Sequence, residues 1–147
     1  VLEIMNYGVN ESQKIDIIIK AEDSLSLSVN ITDSSNAVFS LAEYYVFFNI
    51  YGANSDDTII AASNLTARNA ELGGDDLLET DYFTVVSGYT QSKPAAISVD
   101  DTNGKITLSL TSAETSLTPG GYRYKIKLKK GTTIKTWMHG KFKVNEW

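Results

Sequence analysis

Alternation of apolar and polar residues dominates this chain. Residues 25–31 (LSLSVNI) place apolar side chains between serine and asparagine, and residues 14–20 (KIDIIIK) form a β-branched run. A period of two predicts strands that bury one face. Further runs of this kind lie at residues 58–62, 82–86, 105–110, 122–129 and 133–144. The chain is therefore predicted to be mostly β, with seven or eight strands.

The segment 44–51 (YYVFFNIY) departs from this alternation because it is apolar at both odd and even positions. Such a run is typical of a central strand that is covered on both faces. We expect the core on one face and a loop or a partner on the other. In the polar stretch 63–81, the sequence allows a helical turn at residues 65–72.

The connection between the runs 105–110 and 122–129 is longer than the two residues of a tight hairpin. It contains SAET, Pro119 and two glycines. This composition predicts a crossover from one sheet to another, with a short helical turn at 111–118 that ends at Pro119. Tyr122 would follow the corner and return its hydroxyl to the loop backbone. The pattern predicts an antiparallel β-sandwich.

Length and composition suit one domain. The 147 residues show no repeat or linker, so we expect an N-terminal arm or irregular edge segment at 1–13 and a single sandwich at 14–147. The chain has no cysteine, which excludes disulfides, thiolate metal sites and cysteine nucleophiles. No apolar run approaches the roughly 18 residues of a membrane helix, so no membrane partner is expected.

Two segments carry a resemblance to a known family. DSLSLSVNITDSSNAVFSLAEYYVFFNIYG, and later GKITLSLTSAETSLTPGGYRYKIKLKKGTTIKTWMHGKFKV, resemble the immunoglobulin-like β-sandwich domains of tailed-bacteriophage virion proteins, found in baseplate, tail-fibre and head-decoration components. The resemblance implies an all-β immunoglobulin-like sandwich with a structural role in the virion and no enzymatic activity. The implied partners are other virion proteins, including further copies of this chain. Residues 1–13 and 52–100 depart from the pattern.

Charge is segregated along the chain. Residues 121–147 hold eight lysine or arginine residues against one acidic residue, whereas the remainder holds five against seventeen. Alternation places one parity of the last two strands in the core and the other outside. The inward set is predicted to be Tyr122, Tyr124, Ile126, Leu128, Ile134, Thr136, Met138, Phe142 and Val144. The outward set is predicted to be Arg123, Lys125, Lys127, Lys141 and Lys143, with Trp137 and His139 among them.

We interpret this outward stripe as a protein interface, with Trp137 as a desolvated anchor. The alternative is a solvated face whose lysines keep the chain soluble and the sheet edge unpaired. Nucleic acid is not expected as a partner, because the rest of the chain is acidic and few aromatic residues lie among the cations. A second function class is a carbohydrate-binding or adhesin module, with a host-surface glycan stacked on Tyr44, Tyr51, Tyr89 and Trp137.

Catalytic and metal chemistry find little support. His139 is the one histidine of the sequence, and its predicted neighbour on the strand face is Lys141, so neither a triad nor a histidine metal site is expected. Paired aspartates occur at 56–57, 75–76 and 100–101, where turn chemistry explains them better than a hydrolase does. Residues 101–104 lack the later glutamate of a calcium loop, since position 112 is serine. No cofactor is expected.

Overall fold

A computed structural model describes residues 2–8, 13–21, 23–33, 35, 37–52, 57–73, 90–113 and 117–146. Within them, one helix, α1 (Leu65–Leu72), lies between the sixth and seventh strands. The strands are β1 (Leu2–Gly8), β2 (Gln13–Lys14), β3 (Ile17–Lys20), β4 (Leu25–Thr32), β5 (Tyr45–Gly52), β6 (Thr58–Ser63), β7 (Gln91–Lys93), β8 (Ile97–Asp100), β9 (Lys105–Leu110), β10 (Gly120–Lys130) and β11 (Thr133–Asn145).

The strands form two sheets that pack as a sandwich. The smaller sheet has the order β1-β4-β9-β8, and the larger has the order β2-β11-β10-β5-β6-β7, with β3 also paired to β11. Alternate residues of β4 and β9 meet alternate residues of β5, β10 and β11 in one apolar core. The all-β prediction is confirmed, although the described residues hold eleven strands instead of seven or eight, and most of the core follows the period-two alternation.

The central pairings of both sheets are antiparallel, as predicted, but several edge pairings are parallel. Strand β1 pairs in parallel with β4, and β2 and β3 pair in parallel with β11. Residues 2–8 therefore form an edge strand, and the expectation of an irregular segment there is wrong. The division of the chain into an arm at 1–13 and a domain at 14–147 stays a prediction.

Strand β5 is central, as its apolar run predicts. It lies between β10 and β6, and every residue from Tyr45 to Tyr51 is buried. One face of β5 belongs to the main core. On the other face Tyr45 and Phe47 pack in a second cluster with Ala61 and with Leu65 of α1. The predicted helical turn at 65–72 is confirmed, and it covers part of the second face of β5, where the sequence predicted a loop or a partner.

The crossover from β9 to β10 connects the two sheets, as predicted. Beyond it, the hydroxyl of Tyr122 donates a hydrogen bond of 2.6 Å to the carbonyl oxygen of Thr118, which is the corner contact expected from the sequence. Residues 114–116 lie outside the described residues, so the helical turn at 111–118 stays a prediction. The strand predicted at 82–86 also lies outside them, and β7 and β8 were not predicted.

A β-bulge in β11 overturns part of the predicted parity. Ile126 pairs with Met138 but the next residue, Lys127, pairs with Thr136, so Trp137 is an extra residue on β11. A bulge of this kind reverses the alternation on the bulged strand. Trp137 is consequently fully buried in the core, and its predicted place in the outward stripe is wrong. Ile134 and Thr136, predicted to face inward, are exposed.

Candidate functional site: a cationic groove

The outer face of the larger sheet carries three consecutive rows of basic groups on β10 and β11. Their Cα positions pair as Gly121 with Lys143, Arg123 with Lys141, and Lys125 with His139. Strict alternation holds on both strands over these rows because they lie beyond the bulge. The sequence therefore predicted this face correctly for Arg123, Lys125, His139, Lys141 and Lys143.

These rows line an open groove of about 540 Å³. Its basic lining is completed by Lys14 of β2, which pairs with His139 at the edge of the sheet. The lining residues are Lys14, Gly121, Tyr122, Arg123, Tyr124, Lys125, His139, Gly140, Lys141, Phe142 and Lys143. The volume lies within the roughly 300–1,000 Å³ of ordinary ligand sites. None of these lining residues carries a carboxylate, and the Asp16 carboxylate beside them accepts a hydrogen bond from the Lys141 N–H, so the net charge of the lining is positive and favours anions.

A buried tyrosine supports two of the cations. The guanidinium carbon of Arg123 and the Nζ atom of Lys125 each lie 5.6 Å from the centre of the Tyr51 ring. The phenol oxygen of Tyr51 accepts a hydrogen bond of 3.3 Å from the Asn49 amide. Cation–π attraction at this distance holds a charged side chain over the ring. Two cations of the groove are therefore in contact with the same buried ring.

Lys127 continues the outward row of β10 without lining the groove. Its side chain is half-buried, and burial lowers the pKa of its ammonium group, with a further contribution from the neighbouring charge of Lys125. Positive charge is thus crowded on this face of β10. Crowding of like charges favours a bound anion.

The structure divides the seven predicted interface residues into three groups. Five line the groove, Lys127 lies beside it, and Trp137 lies in the core on the opposite side of the sheet. Trp137 therefore provides no exposed anchor in this structure. Lys14 was not predicted, since only strand pairing brings it beside His139. The role of this face as an interface stays a prediction.

The paired aspartates have structural explanations where they are described. Asp100 accepts hydrogen bonds from the backbone and the side chain of Asn103, and these bonds lower the pKa of its carboxyl group. Asp101 is bonded to the buried guanidinium of Arg68. Asp56, Asp75 and Asp76 lie outside the described residues. Among the described residues, no cluster of three or more potential metal ligands is found.

The aromatic residues proposed for sugar stacking are poorly placed. Trp137 and Tyr51 are buried, Tyr44 is partly buried, and Tyr89 lies outside the described residues. A stacking platform needs an exposed ring face. The carbohydrate-binding interpretation is therefore wrong in its use of Trp137 and Tyr51.

Comparisons with known proteins add little to this description. No family model and no curated protein matches the chain. Among solved structures, the N-terminal domain of phage TP901-1 ORF48 is similar over 97% of this chain and 99% of that chain, with a TM-score of 0.47 and 9% identity. A similarity of this size assigns neither a family nor a function. No helix of the described residues meets the length and hydropathy needed to cross a membrane.

Proposed function

We propose that this chain is a non-enzymatic structural protein of a tailed-bacteriophage virion, with an immunoglobulin-like sandwich that binds other virion proteins in the tail, the baseplate or the capsid surface. The sequence resemblance of residues 24–51 and 106–128 supports this assignment. The two-sheet architecture is compatible with it. Further copies of the chain are included among the proposed partners, so the protein is a homo-oligomer within the particle.

The observation that carries the proposal is the groove on β10 and β11. Its basic residues stand in register on adjacent strands and belong to one open surface. Electrostatic complementarity of this kind steers association and selects partners with an acidic surface. With Trp137 in the core, charge rather than an aromatic anchor provides the attraction. Docking is therefore expected to weaken as the salt concentration rises.

The surroundings of His139 support a role without catalysis. Its neighbours in the sheet are Lys125 and Lys14, and the groove lining contains no serine, threonine, cysteine or carboxylate. A histidine base acts on a nucleophile within hydrogen-bond reach and is oriented by a third group. His139 has neither a serine, threonine or cysteine nucleophile nor an orienting carboxylate among the residues that line the groove. A basic surface for binding is the simpler assignment.

Particle composition tests the proposed function. Phage particles from cells that produce the chain are purified, and the chain is quantified against the other particle proteins by mass spectrometry. We expect a fixed ratio in purified particles, and a reduced ratio for the double variant Lys141→Gln, Lys143→Gln. The matched control is Lys93→Gln, Lys105→Gln, which removes the same charge elsewhere. A chain that is abundant in the lysate and absent from particles contradicts the proposal.

A further inference from the structure

The spacing of the groove cations matches an extended peptide. Arg123 and Lys125 are two residues apart on β10, and Lys141 and Lys143 are two residues apart on β11. Residues two apart on a strand are separated by about 6.6 Å and point to the same face. An extended segment that lies along these strands presents alternate side chains at the same interval. Acidic residues at every second position would therefore meet successive rows.

The floor of the groove leaves room for such a segment. Gly121 leaves one position of these rows without a side chain, and a Cβ atom at Gly121 would meet no atom within 4 Å. The space above Gly121 is thus open. The Lys143 side chain stands opposite that gap. A peptide backbone can settle over Gly121 while its acidic side chains reach Lys143 on β11 and Arg123 in the next row.

From this geometry we infer that the groove binds an extended polypeptide segment that carries acidic residues at alternate positions. This inference rests on the proposed function and specifies the partner: an acidic strand of another virion polypeptide, laid along β10 and β11. Each carboxylate makes charge-assisted contacts with the guanidinium of Arg123 or with a lysine ammonium.

A polypeptide fits the groove better than a nucleic acid. Single-stranded nucleic acid is bound by cations together with exposed rings on which the bases stack. The ring that lies against Arg123 and Lys125 is not available for stacking, since Tyr51 is 6% exposed. Carboxylates need only the cations, which line the groove.

Two peptides of the same composition test the inference. One is Asp-Thr-Asp-Thr-Asp-Thr-Asp, and the other is Asp-Asp-Asp-Asp-Thr-Thr-Thr; both carry the same fluorescent label. Binding to the full chain is measured by fluorescence anisotropy at low salt. Single-stranded DNA of the same length is a third probe. We expect the alternating peptide to bind about tenfold more tightly than either other probe, because it alone satisfies successive rows.

The groove variants assign the binding to this surface. We expect Lys141→Gln, Lys143→Gln to lose about tenfold in affinity for the alternating peptide, while Lys93→Gln, Lys105→Gln changes it little. Equal affinity for the two peptides, tighter binding of DNA, or unchanged binding by the groove variant overturns the inference. Circular dichroism of each variant confirms folding. Particle incorporation is measured separately, so incorporation without peptide selectivity refutes the inference and leaves the proposed function intact.

Discussion

The Nη2 atom of Arg68 lies 2.8 Å from the Oδ1 atom of Asp101, and this ion pair joins helix α1 to the turn between β8 and β9. The guanidinium also donates to the carbonyl oxygens of Tyr44 and Leu41 and contacts the carboxylate of Glu71. A buried guanidinium is tolerated when its donors are paired. Arg68 therefore links helix α1 to the segment that precedes β5 and to the smaller sheet.

Replacement of Arg68 by methionine should lower the free energy of unfolding by about 3 kcal/mol, because Asp101 and two carbonyl groups lose their donor. Urea denaturation measures the change. Glu71→Gln is the control, since its exposed side chain should contribute less than about 1 kcal/mol. A loss for Arg68→Met no larger than that of the control would show that the pair is not structural.

Replacement of Trp137 by alanine should cost about 3–5 kcal/mol of unfolding free energy, because it removes a fully buried ring from the core. The neighbouring exposed Thr136 provides the control, for which Thr136→Ala should change stability by less than about 0.5 kcal/mol. The conservative Trp137→Phe should leave binding of the alternating acidic peptide unchanged. Loss of that binding in a folded Trp137→Phe protein would show that Trp137 contributes to peptide binding.

Gly140→Ala tests the close approach of β11 to the segment between β2 and β3. A Cβ atom at Gly140 would overlap the carbonyl group of Ile15, whose oxygen also accepts a hydrogen bond from the Tyr124 hydroxyl. We expect a cost of about 1–3 kcal/mol in thermal or urea unfolding. Gly121→Ala, on the adjacent strand with open space, should be neutral or stabilising by up to about 1 kcal/mol. Equal effects at the two glycines would rule out the contact.

Lys141→Glu should stabilise the fold while it weakens anion binding. Lys141 stands directly opposite Arg123, and like charges at opposite positions are unfavourable. An opposite-charge pair there should add at most about 0.2–1 kcal/mol to the free energy of unfolding, because the Asp16 carboxylate, which accepts a hydrogen bond from the N–H of residue 141, repels the new glutamate. Lys143→Glu is the matched control, because Lys143 is opposite Gly121 on β10 and Ile18 on β3, and neither residue carries a charge. A larger gain at Lys143 would contradict the explanation by cross-strand pairing.

Lys127 provides a test by pH. Burial and the charge of Lys125 lower its pKa from the ordinary value of 10.5, so the folded state holds this proton less tightly than the unfolded state. The charged form of Lys127 therefore destabilises the fold at neutral pH. This penalty is relieved as the pH rises through the folded-state pKa toward 10.5. Lys127→Met should accordingly increase stability at pH 7, and the difference from the native protein should shrink at alkaline pH.

NMR titration of the lysine side chains measures the Lys127 pKa directly, with the Lys127 signal assigned by its loss in Lys127→Arg. A midpoint at or above the ordinary value of 10.5 would contradict a lowered pKa. Urea unfolding at pH 7 and at alkaline pH supplies the stability difference between Lys127→Met and the native protein.

Local alternation was sufficient to predict much of the fold. The apolar run 44–51 identified β5 as central, and the length of the 111–119 connection identified a crossover between sheets. Both depend on the chemistry of a single segment. On β10, parity also assigned Arg123 and Lys125 to the outer face, because that strand keeps its alternation on this side of the bulge.

The predictions that were wrong or missing concern contacts between segments that are distant in the sequence. Whether Trp137 faces the core is decided by the pairing of β11 with β10, where the extra residue appears, and alternation within one strand does not contain that information. Lys14 joins the groove through parallel pairing across more than a hundred residues. Arg68 gave a weak local signal as a cation within a predicted helical turn, but its partner Asp101 lies 33 positions away.

The parallel pairing of β3 with β11 has a consequence for biosynthesis. Ile17 pairs with Phe142, so this edge of the larger sheet closes a loop of more than a hundred residues. Contacts of such long range slow folding, since the entropy of loop closure is lost before the pairing compensates for it. On the ribosome, residues 17–20 must wait for the emergence of β11. We expect this edge of the larger sheet to form only after β11 has left the ribosome.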